Sequence, residues 1–164
     1  MNGAYEALAA RIRQELVELQ KVAERAVRLW NMAQLKADDA YVDAVALNLH
    51  GFYSGLERVF ELVAERVDQS HPTGESWHRD LLLQMAVEIP GVRPTVVSQE
   101  LAAHLDEYRG FRHVVRNVYS YRLNPRRVGM LVEDLPETAG KVTEQLSTFA
   151  DTLVEIAAAG EPDC

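Results

Sequence analysis

The stretch VDAVALNLHGFYSGLERVFELVAERV, Val42–Val67, carries apolar residues at Val42, Val45, Leu49, Phe52, Leu56, Val59, Val63 and Val67. The spacings are threes and fours throughout, which winds all eight onto one face of an α-helix. Upstream, KADDAY interrupts the pattern, and Asp38 or Asp39 can cap the helix that follows. Before it, Leu8, Ile12, Leu16, Leu19, Ala23, Ala26 and Trp30 repeat the spacing, giving a first helix over roughly 4–35. Downstream, DQSHPTGES is loop by its Pro, Gly and Ser content. A shorter helix, WHRDLLLQMAVE, comes next. The two prolines of IPGVRPTVVS keep that segment from being helical throughout.

Ser98 is an N-cap candidate for a fourth helix, with Glu100 in its first turn and its end near Tyr121. RLNPRRVGMLVEDLP reads as a connector. A last helix is expected from near Pro136, with Val142, Leu146, Phe149, Leu153 and Ile156 on one side. No strand pattern competes. The expected class is all-α, an antiparallel bundle of four to five helices, with residues 1–164 forming one domain. A different all-α packing of the same elements is the alternative.

Composition agrees with a folded chain: of 164 residues, 48% are hydrophobic and 26% charged. The apolar runs are too short and too interrupted by charge to span a bilayer. The N-terminus lacks the pattern of a secretory signal, and the single cysteine, Cys164, has no internal disulfide partner. The cytoplasm is the expected compartment. His50, His71, His78, His104 and His113 show no zinc-ligand spacing, no Gly-rich phosphate loop is present, and neither metal nor cofactor is expected.

Charge is distributed unevenly. The chain carries a net −8, yet YRGFRHVVRNVYSYRLNPRRV, Tyr108–Val128, holds six arginines and no acidic residue, leaving −14 for the remainder. Such segregation suits one specific anionic partner better than general adhesion. Wound at about 100° per residue, Phe111, Val114, Val115 and Val118 face one side. Arg109, Arg112, His113 and Arg116 face the other, flanked by Asn117 and Tyr119. Two readings follow. The arginines pair with acidic residues of neighbouring helices, or they form an anion site, for which the planar guanidinium fork is well suited.

RHVVRNVY, Arg112–Tyr119, resembles the signature of the HEPN superfamily, and in particular of HepT-like ribonuclease toxins: Arg, four residues, His, one residue, Tyr. LHGFYSGLERVFE, WHRDLLLQM and FRHVVRNVYSYRLNP are similar to segments of one HepT-like branch. The resemblance covers roughly residues 40–136. It implies a HEPN-type helical bundle that forms homodimers, with motif residues in a cleft where protomers meet. It implies a metal-independent endoribonuclease acting on RNA, tRNA among the candidates. It also implies an MNT-type nucleotidyltransferase antitoxin that silences the toxin by attaching AMP to the motif tyrosine, here Tyr119.

The chain departs from the motif at one position. Arg112 and Tyr119 match, but Asn117 stands where the motif has histidine. Asparagine cannot take a proton at neutral pH. Cleavage through the substrate's 2′-hydroxyl needs a base, and cations to stabilise the phosphorane. The residue was changed, or cleavage was naturally lost, or His113 has taken over. Loss is favoured over takeover, because His113 lies about 40° from Asn117 in projection but a turn lower. Arg112 and position 117 are themselves about 140° apart around one helix, a mismatch that a two-fold interface would relieve. Arg122, Arg126 and Arg127 extend the basic track or are merely solvated. Tyr53, Tyr119 and Tyr121 are candidate base-stacking residues, with packing as the alternative for Tyr121.

His50, beside the apolar stripe, reads as a core histidine with one hydrogen bond. Trp77 reads as a packing anchor, and Arg79 with Asp80 as a surface pair. The expectation is thus a toxin with an impaired ribonuclease site. The competing expectations are a noncatalytic helical module that binds a nucleotidyltransferase partner, and a plain bundle with a salt-bridged arginine row.

Overall fold

A computed structural model describes residues 2–160; Cys164 lies outside the described residues. Five α-helices carry the fold: α1 Asn2–Lys36, α2 Asp39–Val63, α3 Trp77–Met85, α4 Gln99–Asn117 and α5 Pro125–Ala159. A π-helical turn, Ala64–Asp68, prolongs α2, and a 3-10 turn, Ser120–Arg122, precedes α5. No strand occurs among the described residues, and one isolated bridge pairs Ile89 with Arg93. The all-α helical bundle is as the stripes required.

The stripe of α2 is the centre of the core. Val45, Leu49, Phe52, Leu56, Val59 and Val63 are each 1% exposed or less. Burial of such side chains contributes about 1.5–3 kcal/mol apiece. α1 lies along both α2 and α5, while α4 packs on α2, α3 and α5. Two glycines permit the close approach to α1. A Cβ at Gly55 would stand 2.8 Å from a Leu19 methyl, and one at Gly129 would stand 2.7 Å from the Trp30 ring.

Side chains close the helix starts. Asp38 accepts from the Ala40 amide, Ser98 Oγ from Leu101 N at 3.1 Å, and Asn124 Oδ1 from Arg126 N at 3.0 Å. The segment between α3 and α4 is irregular, as its prolines demand, and is pinned by Arg93. That guanidinium is fully buried, donates to Asp68 Oδ2 at 2.7 Å, and also reaches the carbonyls of Gln84, Val87 and Pro94.

Two boundaries differ from the sequence reading. α4 stops at Asn117, short of Tyr121, and Val118 is extended and 40% exposed instead of packed. α5 begins at Pro125, so the expected connector is largely helix and Pro136 lies inside it. Asn124–Pro125 is a cap followed by a proline at a first-turn position, where its missing N–H is harmless. Val128, Leu131, Val132 and Leu135 then continue the buried stripe into Ala139 and Val142. An interior proline is disfavoured by about 3 kcal/mol, and the apolar face on both sides of it outweighs that cost.

Candidate functional site

On α2, His50, Ser54 and Glu57 form a polar ridge beside the apolar stripe. It meets Arg112 of α4, whose Nε donates to Ser54 Oγ at 3.0 Å and whose terminal nitrogen lies 3.2 Å from Glu57 Oε1. Glu57 is only 3% exposed, and its second oxygen lies 2.9 Å from Nδ1 of His78, in the first turn of α3. A buried carboxylate is costly unless paired; this one has two partners. The same Arg112 nitrogen is 3.2 Å from His78 Nδ1. An ionised carboxylate only accepts hydrogen bonds, so Nδ1 carries the proton and donates to Glu57. Arg112 is then a neighbour sharing that carboxylate, and the His78 lone pair resides on Nε2. The imidazole stacks on Trp77 with ring centroids 3.7 Å apart, and Trp77 packs against the core as its anchor reading required.

A cavity of about 550 Å³ opens beside this network. α4 contributes Arg109, Arg112, His113, Arg116 and Asn117 to its wall, and the start of α3 with the loop before it contributes Glu75, Ser76, His78 and Arg79. Four arginines thus face one glutamate. Two of these four arginines are salt-bridged: Arg112 to Glu57, and Arg109 to Asp106 at 2.7 Å. Arg116 is exposed and has no ion pair among the described residues. Arg79 lines the cavity, and among the described residues it makes no pair with Asp80.

Asn117 is the last residue of α4, and its amide donates to the His113 carbonyl at 2.7 Å. Tyr119 falls beyond the helix, 72% exposed, stacked on the equally open Tyr121 at 5.9 Å between centroids. Arg122 sits 5.6 Å over the Tyr121 ring, and Arg127 lies 5.8 Å over Phe111. Arg126 is exposed in the first turn of α5. Tyr119, Arg122, Arg126 and Arg127 lie outside the cavity wall. The sequence reading therefore collects five residues that share one wall, and four that do not.

Tyr53 corrects a further expectation. It is fully buried and cannot stack on a base, and its hydroxyl has no hydrogen-bond partner among the described residues. Burial, then the Glu57 carboxylate, pushes its phenol well above the ordinary range. His50 is half-buried with one weak contact, Nδ1 to Ser54 Oγ at 3.4 Å. Desolvation, then Arg112 and Arg116, holds its pKa below the usual 6.5. Glu61, Glu65 and His71 bring potential ligand atoms within 4.8 Å of one another, a grouping that exposed acidic residues make without an ion, and none of them lines the cavity.

Sequence reasoning missed Ser54, Glu57 and His78 as members of the site. Their signal was available: His50, Ser54 and Glu57 recur at four and three residues, marking a polar ridge against an apolar stripe.

The family model described as HepT-like protein matches residues 44–153. That span includes most of α2, all of α3 and α4, and most of α5. The chain belongs to the HepT-like protein family, and so, in general terms, to the HEPN toxin superfamily. No curated protein and no solved structure matches it. Among the described residues, no helix is long and apolar enough to cross a membrane.

Proposed function

We propose that this chain, as one domain over residues 1–164, is the RNA-directed toxin of a toxin–antitoxin pair. The supporting observation is the cavity where Arg109, Arg112, His113, Arg116 and Asn117 converge beside a buried carboxylate. Arg112 is held from two sides, which fixes its position. Arg116 has no ion pair among the described residues and is available to phosphate. Two guanidinium groups on one wall suit a phosphodiester and the additional charge of its phosphorane. The reaction is metal-independent endoribonucleolysis in the cytoplasm, with the substrate's 2′-hydroxyl as nucleophile. Arg122, Arg126 and Arg127 continue the basic track beyond the cavity. Tyr119 is exposed and so accessible to an MNT-type nucleotidyltransferase that would attach AMP. A homodimer would set two motif helices around one substrate.

Asn117 supplies no base, so cleavage by this chain is slow. Asn117→His is expected to raise it by about a hundred- to ten-thousand-fold, measured with tRNA and total RNA in EDTA. Adding Arg112→Ala to that variant is expected to abolish cleavage; retained cleavage would sink the assignment. A second reading rests on the Asn117 amide, which is engaged by the His113 carbonyl. On that reading the chain is a noncatalytic module for a nucleotidyltransferase partner. Two folded proteins, neither of which cleaves, would select it.

A further inference from the structure

We propose that the base of the remaining cleavage is His78, with Glu57 as its positioning residue. This rests on the ribonuclease reading above and adds the group that accepts the proton. The cavity wall offers the motif position Asn117, the histidines His113 and His78, and the carboxylate Glu75, which is exposed and makes no side-chain hydrogen bond or ion pair among the described residues. Asn117 has no basic nitrogen. His113 is exposed, its ring nitrogen approaches only the Asn117 amide, at 3.5 Å, and no carboxylate orients it among the described residues. His78 differs in three respects. Its ring is stacked on Trp77, its Nδ1–H is fixed by Glu57 at 2.9 Å, and its remaining nitrogen is thereby Nε2, unprotonated in the neutral ring. A carboxylate on one imidazole nitrogen sets the tautomer and stabilises the cation formed at the other.

Elsewhere in the molecule such contacts are looser. His104 stands 3.7 Å from Asp134 and His71 4.0 Å from Glu61, and neither histidine lines the cavity. The charged groups facing His78 are Glu57 from α2, Arg112 and Arg109 from α4, and Glu75 and Arg79 from its own segment. Arg112 lies 3.2 Å from Nδ1 and Glu57 2.9 Å from it, so both partners meet the ring at the nitrogen opposite Nε2. Arg112 and His78 both line the cavity, so a phosphate drawn there meets the two together.

Nε2 of His78 takes the proton of a ribose 2′-hydroxyl, and that oxygen attacks the adjacent phosphorus. The bond from phosphorus to the 5′-oxygen breaks, leaving a 2′,3′-cyclic phosphate. The departing 5′-oxygen takes a proton from water, and the imidazolium returns its own to solvent.

The test is cleavage of a defined RNA in EDTA from roughly pH 5 to 9, a window that spans histidine titration. The proteins are the parent chain, His78→Gln, Glu57→Gln, Asn117→His and, as a control outside the cavity, His104→Gln. The parent should cleave slowly with a rate that rises through one ionisation. His78→Gln should lose about a hundred-fold or more, and His104→Gln should match the parent. Glu57→Gln should lower the rate and move the midpoint of the rising limb, because Nδ1–H loses its carboxylate; an unmoved midpoint would remove Glu57 from the proposal. A parent that cleaves alongside an equally active His78→Gln would overturn His78 and leave the ribonuclease reading standing. So would an inert parent beside an active Asn117→His. Inactivity of both would remove the ribonuclease reading and His78 with it. Should His78→Gln not fold, the His78 ring of the parent, titrated by NMR, must share the midpoint of the rate limb, and a mismatch would overturn the proposal.

Discussion

Glu57 shows how one side chain organises a site. Its carboxylate is buried between a guanidinium and an imidazole, so removing it leaves Arg112 charged and without its counter-ion. Breaking such a buried pair costs about 3–5 kcal/mol. Glu57→Ala is therefore expected to lower the melting temperature sharply, as read by thermal unfolding, whereas Glu57→Gln, which keeps volume and hydrogen bonding, should lower it less. The half of the site on α4 was legible in the sequence, because Arg109, Arg112, His113, Arg116 and Asn117 share one helix and helical period alone sets their directions. The other half was not. Ser54 lies 58 positions from Arg112 and His78 lies 34 away, and no local period reports which helix will lie against which. A glutamate next to Leu56 reads as surface until a second helix covers it.

At the scale of elements, the long stripes of α1 and α2 were readable and the junction between α4 and α5 was not. Pro136 drew the helix start to itself, since a proline near a helix beginning is the ordinary case. The true start, Asn124–Pro125, has the same chemistry with a better cap. Period resolves the conflict: Val128, Leu131, Val132 and Leu135 sit at threes and fours before Pro136, in phase with Ala139 and Val142 after it. Pro136 is exposed and deprives the Val132 carbonyl of its helical donor. Pro136→Ala restores that donor at the loss of some unfolded-state restriction. The expected gain is about 1–2 kcal/mol, measured by denaturant unfolding; a loss would mean that the helix is adapted to the proline.

For the whole molecule, charge segregation is the feature that matters most. An acidic body of −14 carries a basic run of +6, a distribution that would draw a polyanion to one place and repel it elsewhere. Binding of a noncleavable, 2′-deoxy-substituted RNA should weaken steeply with salt. Arg116→Ala should weaken it similarly for all sequences and reduce the salt slope by about one. An unchanged slope would place the phosphate contacts elsewhere.

The buried Arg93 has a consequence for how this molecule opens. One guanidinium grips Asp68 at the end of the α2 extension, the Gln84 carbonyl on α3 and the segment leading to α4. Glu57 stands on α2, which ends in that extension, and His78 on α3. The knot lies outside the cavity wall, yet it ties the end of the α2 extension to α3. Local opening at the knot is therefore expected to part Glu57 from His78 as well, although neither touches Arg93.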